Sequence, residues 1–466
     1  MVLEQYYTKC LSQGTYYIAS QGEAVIIDPL REVQQYIDRA REDDAHIKYI
    51  FLTHFHADFV SGHVDLADKT GATIVIGPNA VTSYAFAKAE HLQTYQIGEI
   101  SLQLLHTPGH TMESSCYLLR DENGKEQALF TGDTLFIGDV GRPDLAVKSD
   151  LSTEDLAAHL YDSLHNVIMP LSDDITVYPA HGAGSACGKN MSSETSDSLG
   201  NQKATNYALD PTLSKEAFIK EVTTGIATPP PYFPKNVWMN KGVNSSIDEV
   251  IARGMTPLSV ESFEVLATDD EFLVLDVRSP QEYTQAHIPG SWFIGLDGQF
   301  APWVGSLINN IDQKIILVTP DGREKEAVTR LARVGYDNAQ GFLKGGMNAW
   351  INSGLPVETI ENVSAQEFVS GIENNSIHNP VDVRRPSEYT TSHLDNVPLS
   401  TLDLVENNIT TFNSDHKYHI HCAGGYRSVI FSSILKAHGV KNVVNVEGGY
   451  GAIKKANFKT LTIKSK

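Results

Sequence analysis

The run Thr53-His54-Phe55-His56-Ala57-Asp58-Phe59 places three metal-donor side chains within five positions. Two imidazoles and a carboxylate this close together can aim at one point from a single short loop. Phe59 matters as much as the donors. A phenyl ring has no lone pair to give, so a second metal held beside Asp58 would lack a ligand. The stretch therefore reads as one metal with open coordination positions, which is what oxygen chemistry needs.

Working outward, Ile47 to Leu52 reads as a buried strand running into this loop. Ala72 to Ile76, Cys116 to Leu119, Ala128 to Phe130 and Ile175 to Tyr178 read the same way, and Val33, Tyr36, Ile37 and Ala40 recur at helical spacing. Three more loops carry donors: Thr107-Pro108-Gly109-His110-Thr111, Thr131-Gly132-Asp133-Thr134-Leu135-Phe136, and Tyr178-Pro179-Ala180-His181-Gly182. They follow strand-like runs, where a rigid end leaves the next residues free to aim side chains. Any one of these histidines alone would more often be a core or surface residue. Six donors in such loops, His54, His56, Asp58, His110, Asp133 and His181, point to a metal site. Two histidines and one carboxylate on one face make the facial triad of non-haem iron oxygenases.

These motifs resemble the His-x-His-x-Asp-His signature and later loops of the metallo-β-lactamase superfamily, in the same order. The region resembles the persulfide dioxygenase family within it throughout. That resemblance implies His54, His110 and Asp133 as ligands of one Fe(II) per chain, with zinc as the alternative metal. It implies that His56, Asp58 and His181 orient ligands and hydrogen-bond water. Gly141-Arg142-Pro143-Asp144-Leu145 resembles that family's loop close to the metal, which brings in Arg142 and Asp144. Glyoxalase II-like thioesterases share the motifs but hold a second metal partly through a histidine where Phe59 stands. Cys187, in a glycine-rich loop six residues past His181, is a possible additional thiol, weighed against a buried inert one. Cys10 and Cys116 sit beside strand-like runs and read as core.

Further along, Thr228-Pro229-Pro230-Pro231-Tyr232-Phe233-Pro234 cannot lie in a helix or a central strand. It reads as a strap ending the first domain, with a linker continuing to about Thr256-Pro257. The remainder repeats itself. Leu275-Asp276-Val277-Arg278-Ser279-Pro280-Gln281-Glu282-Tyr283 recurs as Val381-Asp382-Val383-Arg384-Arg385-Pro386-Ser387-Glu388-Tyr389. His287 recurs as His393, and Gly345-Gly346 as Gly448-Gly449. Each copy alternates strands with helical segments, which implies a parallel sheet covered by helices. Asp276, Arg278, Asp382 and Arg384 read as bracing ion pairs, and His287 and His393 as structural.

In the second copy a strand, Tyr418 to His421, runs into Cys422-Ala423-Gly424-Gly425-Tyr426-Arg427-Ser428 and then a helical run from Val429 to Ala437. A cysteine between a strand end and a helix start faces backbone N–H groups. The helix dipole and Arg427 favour a thiolate or persulfide there. This resembles the active loop of rhodanese sulfurtransferases, whose cysteine carries a sulfane sulfur. The loop length fits rhodanese, since the related phosphatases need one more residue. Thr319 occupies the equivalent position in the first copy. A hydroxyl cannot carry sulfane sulfur, so that copy reads as inactive.

The expected architecture is α/β multidomain. An αββα metallo-β-lactamase sandwich over 1–243 is followed by an inactive rhodanese-like domain over 256–358 and an active one over 361–466. The resemblance implies oxidation of a low-molecular-weight persulfide, of glutathione or coenzyme A, by O2 to thiol and sulfite. Sulfur transfer at Cys422 would then give thiosulfate. A glyoxalase II-like zinc thioester hydrolase with an appended rhodanese, or a non-enzymatic sulfur relay or sensor, are the other readings.

Composition narrows the partners. The 466 residues suggest about three domains. The net charge of −21 repels phosphate backbones, so nucleic acid is not expected. No apolar run approaches a membrane span, and the first residues lack the features of a secretory signal. Four scattered cysteines form no disulfide framework, which suits a reducing cytoplasm. A homo-oligomer is expected.

Overall fold

Alternation along the strands decides the layering of the amino-terminal region. Its first sheet runs in the order β1 (Val2–Thr8), β2 (Gln13–Ser20), β3 (Glu23–Ile27), β4 (His46–Leu52), β5 (Thr73–Ile76), β6 (Ala87–Lys88). The first three strands pair antiparallel and the rest parallel. The second sheet contains β7 (Thr94–Ile97), β8 (Ile100–His106), β9 (Ser115–Arg120), β10 (Glu126–Gly132), β11 (Thr176–Pro179) and β12 (Asp197–Ser198), again in sequential order. On β2, Tyr16 and Ile18 face the other sheet and pack with Leu102, Leu104, Tyr117 and Phe130. Their neighbours Tyr17 and Ala19 point the other way, onto Val33, Tyr36 and Ala40. The period-2 geometry of a strand forces this division. The outer face of the second sheet, with Leu118, Leu129 and Val177, buries Ala157, Leu160 and Phe218 of helices Thr153–Ser163 and Lys215–Thr223. The result is helix, sheet, sheet, helix. Each fully buried Leu or Phe contributes roughly 1.5–3 kcal/mol.

The structure is a computed structural model that describes residues 1–147, 151–226, 228–457 and 463–465. The chain divides into two units, Met1–Ile247 with Ala332–Gly335, and Asp248–Leu331 with Tyr336–Lys466. The stretch read as a linker is largely helical. Pro229 to Pro231 lie outside helix and strand, but helices Phe233–Lys241 and Ile247–Gly254 follow. Pro234 sits in the first turn of its helix, where a missing N–H removes no intrahelical bond. Among the described residues no helix is long and apolar enough to cross a membrane.

The second unit holds two parallel sheets. One runs Pro257–Leu258, Ala339–Leu343, Lys314–Val318, Phe272–Asp276, Trp292–Phe293. The other runs Glu361–Val363, Val443–Val446, Tyr418–His421, Pro380–Asp382. The sequence repeat is a structural repeat, down to its polar contacts. Arg278 donates from Nε and Nη2 to Asp276 and caps Ala286 O at 2.8 Å. Arg384 does the same to Asp382, and to Ser392 O at 2.9 Å. His287 stacks on Tyr283 at 4.1 Å and His393 on Tyr389 at 3.9 Å, each with Nδ1 on that tyrosine's carbonyl. Both histidines belong to the scaffold.

Asp382 and Arg384 are buried together. Asp382→Ala would strand the guanidinium without its counter-charge and should cost about 3–5 kcal/mol. Urea unfolding followed by the fluorescence of Trp292, Trp303 and Trp350 should show the lowered midpoint.

Candidate functional site

The loop after β4 is set by Asp28, which accepts from Thr53 N at 2.8 Å and Thr53 Oγ1 at 2.7 Å. The Thr53 hydroxyl has thus given its proton away. Its contact with His54 Nδ1 at 2.9 Å must be an Nδ1–H donated to oxygen. His54 Nε2 is therefore left with a bare lone pair. His110 is fixed in the same way, donating Nδ1–H to Arg142 O at 2.8 Å. Both Nε2 atoms face Asp133 Oδ2, at 3.7 and 3.4 Å. Burial, then the neighbouring His56, His110 and His181, drives the pKa of His54 well below the usual imidazole value, so it stays neutral.

The ligand atoms of His54, His110 and Asp133 lie within 4.8 Å of one another. Asp133 is 2% exposed, and neither of its oxygens has a hydrogen-bond partner. A bare buried carboxylate is expensive unless a cation meets it. Two imidazoles with oriented Nε2 atoms beside it complete a donor set that fits a first-row metal ion. The loops close this tightly because two positions are glycine. At Gly132 φ is +53° and a Cβ would meet the Thr53 side chain at 2.6 Å. At Gly141 a Cβ would lie 2.0 Å from Asp133 O.

His56, Asp58 and His181 form a second set within the same 4.8 Å. His181 Nε2 lies 3.4 Å from Asp58 Oδ2 and 3.6 Å from Asp133 Oδ1. Asp133 thus turns one oxygen to each set. Burial opposes a charge on His181, but Asp58 and Asp133 outweigh it and raise its pKa well above the usual imidazole value. That point favours a positive charge, whether proton or metal. Phe59 is fully buried and packs on the His56 ring at 4.3 Å.

Arg142 donates to both oxygens of Asp144, at 2.6 and 2.7 Å, and its N–H to Cys187 O at 3.0 Å. These two residues hold the loop whose carbonyl orients His110. Cys187 is brought to the donors, with Sγ within 4.8 Å of Asp133 and His181 ligand atoms. Burial, then Asp58 and Asp133, pushes its thiol up to about 12. Cys116 is core, as expected, but Cys10 is half-buried in the turn after β1, where Lys9 to Ser12 bend back.

Sequence reasoning missed Asp28, Asn240 and His63. Asp28 follows β3 as His54 follows β4, and it sits at φ +52°, a strained value for a non-glycine residue. Asn240, from the helix Phe233–Lys241, donates to His56 O and Phe59 O, both at 2.8 Å, and accepts from Ser61 N at 2.8 Å. His63 is buried without a hydrogen bond, and burial followed by His56 pushes it down to about 3.

In the second unit, Cys422 lies 1% exposed at the end of its strand, and helix Tyr426–Ala437 begins just past it. Gly425 N donates to Sγ at 3.1 Å, and Ser428 Oγ lies at 3.5 Å while donating to Asn445 at 2.7 Å. Gly449 lets Tyr450 N and Gly451 N clamp the carbonyls of Cys422 and Ala423, since a Cβ there would meet Cys422 O at 2.4 Å. Ala423 and Gly424 line the cavity over the thiol. The Arg427 guanidinium, beside this loop, forks onto Glu388 at 2.6 and 2.9 Å.

Residues 9–181 match the family model of the metallo-beta-lactamase superfamily, and 259–353 and 364–456 each match the rhodanese-like domain. A solved metallo-beta-lactamase from Staphylococcus aureus is 32% identical with a TM-score of 0.64, covering 74% of this chain and 98% of that one. Hydroxyacylglutathione hydrolase GloC of Haemophilus influenzae is 32% identical, covering 36% of this chain and 84% of its own. The chain spans about half the length, 52%, of the probable hydroxyacylglutathione hydrolase glo2 of Schizosaccharomyces pombe, to which it is 31% identical over 31% of itself.

Asn240 ties down two carbonyls of the donor loop without being a donor. Asn240→Ala should weaken metal affinity by about 10–100-fold, as lost ligand-orienting contacts do. Chelator competition on the purified variant measures this, and an affinity within twofold of the parent would remove Asn240 from the site.

Proposed function

Because the chain belongs to the metallo-β-lactamase superfamily and carries two rhodanese-like domains after that fold, we propose that it is an Fe(II)-dependent persulfide dioxygenase coupled to a sulfurtransferase. The observation that carries this reading is the donor set of His54, His110 and Asp133, with both imidazoles oriented by their Nδ1 atoms, in one chain with a loop that exposes Cys422 to a helix start. Two histidines and one carboxylate leave positions open for substrate sulfur and O2.

The overall reaction is RSSH + O2 + H2O → RSH + SO3²⁻ + 2 H⁺, in which the sulfane sulfur is oxidised and O2 reduced. Bound Fe(II) supplies the electron transfer to O2 and brings the two reactants together. The residues supply the rest. Thr53 and the Arg142 carbonyl hold the two imidazoles in the ligating tautomer. His181, beside Asp58 and Asp133, can hold a proton at Nε2. The buried wall of Phe59 and Phe136 restricts water.

At the second site, Cys422 takes the terminal sulfur of another persulfide: Cys–S⁻ + RSSH → Cys–S–SH + RS⁻. Sulfite then accepts that sulfur and leaves as thiosulfate, regenerating the thiolate. Joining both activities in one chain raises the local concentration of sulfite at Cys422. The free cysteines suit a reducing, cytoplasmic setting. One observation favours a second reading. His56, Asp58 and His181 form a further donor set, which supports a glyoxalase II-like zinc thioester hydrolase.

Anaerobic iron reconstitution and an oxygen-electrode assay with glutathione persulfide separate the two. Oxygen uptake with sulfite formed, lost in His110→Ala, is the expected result. Cys422→Ser should keep the uptake and lose thiosulfate. Absence of uptake with a filled iron site, together with thioester cleavage after zinc loading, would overturn the dioxygenase reading.

A further inference from the structure

Ala332–Gly335 lie inside the stretch that matches the first rhodanese-like domain, yet they group with the amino-terminal unit. They close helix Glu324–Arg333, whose last carbonyls have no partner within the helix. Ala332 O accepts from Gly335 N at 3.0 Å and from Arg31 Nη1 at 3.1 Å. Arg333 O accepts from Val60 N at 2.8 Å. Val60 is buried directly after the donor run, between Phe59 and Ser61. Asn240 already holds Phe59 O and Ser61 N, and Arg333 satisfies the N–H that lies between them.

The side chain of Arg333 reaches two further segments. Nε and Nη2 donate to Glu32 Oε1, Nε at 2.8 Å, and Nη1 donates to Cys10 Sγ at 3.1 Å. Glu32 Oε2 is buried with no hydrogen-bond partner among the described residues, so this carboxylate leans on Arg333. The segment before Glu32 is laced to the donor loop, since Pro29 O accepts from Ser61 Oγ and Gly62 N, both at 2.9 Å. The segment of Cys10 holds the loop of His181. Ser12 O accepts from Gly182 N at 3.0 Å and from His181 Nδ1 at 3.3 Å, and Ser12 Oγ donates to Ala183 O at 2.9 Å. One arginine thus joins the loop of His56 and Asp58 to the loop of His181.

The turn itself does not require an arginine. In the first repeat Gly335 N bonds Ala332 O at 3.0 Å and Tyr336 N bonds Leu331 O at 3.1 Å. In the second, Gly439 N bonds Lys436 O at 2.9 Å and Val440 N bonds Leu435 O at 3.0 Å. The glycines have φ of +86° and +89°. Two positions before the glycine stands Arg333 in the first copy and Ala437 in the second. The scaffold accepts either residue, and the arginine adds polar links that lead away from the turn.

On the metal reading of the donors above, we propose that Arg333 is a positioning residue of the metal site: it fastens the loop of His56 and Asp58 to the loop of His181, and so sets where this second donor group stands against Asp133. Neither nitrogen of His56 makes a hydrogen bond, so the place of its ring depends on the backbone beneath it. His181 Nε2 lies 3.6 Å from Asp133 Oδ1, and the other oxygen of Asp133 faces His54 and His110. A shift of the second group therefore reaches the first through one carboxylate.

The test loads the whole chain with Co(II), reading affinity by competition with a chromophoric chelator and ligand geometry by the Co(II) absorption bands. Circular dichroism of the metal-free chain checks folding. Arg333→Met should weaken Co(II) binding about tenfold, as lost ligand-orienting contacts do, and shift the bands. A lysine keeps the charge but cannot serve Glu32 and Cys10 from one plane, so Arg333→Lys should shift the same bands less. A folded Arg333→Met chain with affinity within twofold of the parent and unchanged bands overturns the role of Arg333 and leaves the metal site intact. Should Arg333→Met fail to fold, Arg333→Lys decides by its bands, and parent bands overturn the role. A parent chain that binds no Co(II) overturns the metal site itself and the role of Arg333 with it. Oxygen uptake enters neither reading, so failure of the dioxygenase assay would leave Arg333 in place.

Discussion

A buried carboxylate with no hydrogen bond is the constraint around which the amino-terminal unit is organised. Asp133 turns one oxygen toward His54 and His110 and the other toward His181. Hydrophobic packing could not hold such a charge in place, because its desolvation opposes folding unless a cation compensates. The surrounding sequence serves that need. Gly132 and Gly141 allow three loops to meet at Asp133, and Asp28 accepts a strained backbone to fix Thr53. The sandwich of sheets brings these strand ends together and holds them rigid.

The second unit separates what makes a fold from what makes a site, because it contains the same fold twice. The Asp–Arg brace, the histidine stacked on its tyrosine and the Gly-Gly turn recur in both copies. They satisfy backbone carbonyls and close loops in both copies. Positions that touch the cavity instead diverge, with Thr319 against Cys422 and Ser279 against Arg385. The copy with Thr319 keeps its helix cap. The copy that carries the thiol gives the cap up.

What was legible in the sequence follows the range of the physical signal. The six donors could be found because each sits in a short loop behind an apolar strand, and both signals are local. The repeat was legible because it compares the chain with itself. Asn240 was not, because it lies far from the loop it pins, in a helix that follows prolines and shows weak amphipathic patterning. The partner of Arg427 was hidden for a similar reason, because Glu388, onto which its planar fork closes, is distant in sequence. Cys10 follows a strand run, but the turn that holds it leaves it half-exposed.

The two donor sets are alike in residue type and unlike in preparation. In the first, each histidine has its Nδ1 committed to a fixed acceptor, so the ligating nitrogen is chosen before any metal arrives. In the second, neither nitrogen of His56 makes a hydrogen bond, and Nε2 lies 3.1 Å from Asp28, which already serves Thr53. Its ring is held by Phe59 through packing rather than by a polar partner. His181 Nδ1 reaches Ser12 O at a longer 3.3 Å. Losing the hydrogen bonds that orient metal ligands typically costs about 10–100-fold in affinity. A histidine at position 59 would supply both a donor and a reason to order the set, but the chain has a phenyl ring there. The asymmetry therefore favours the first set as the more firmly prepared metal site, which is the arrangement the proposed oxidation would need.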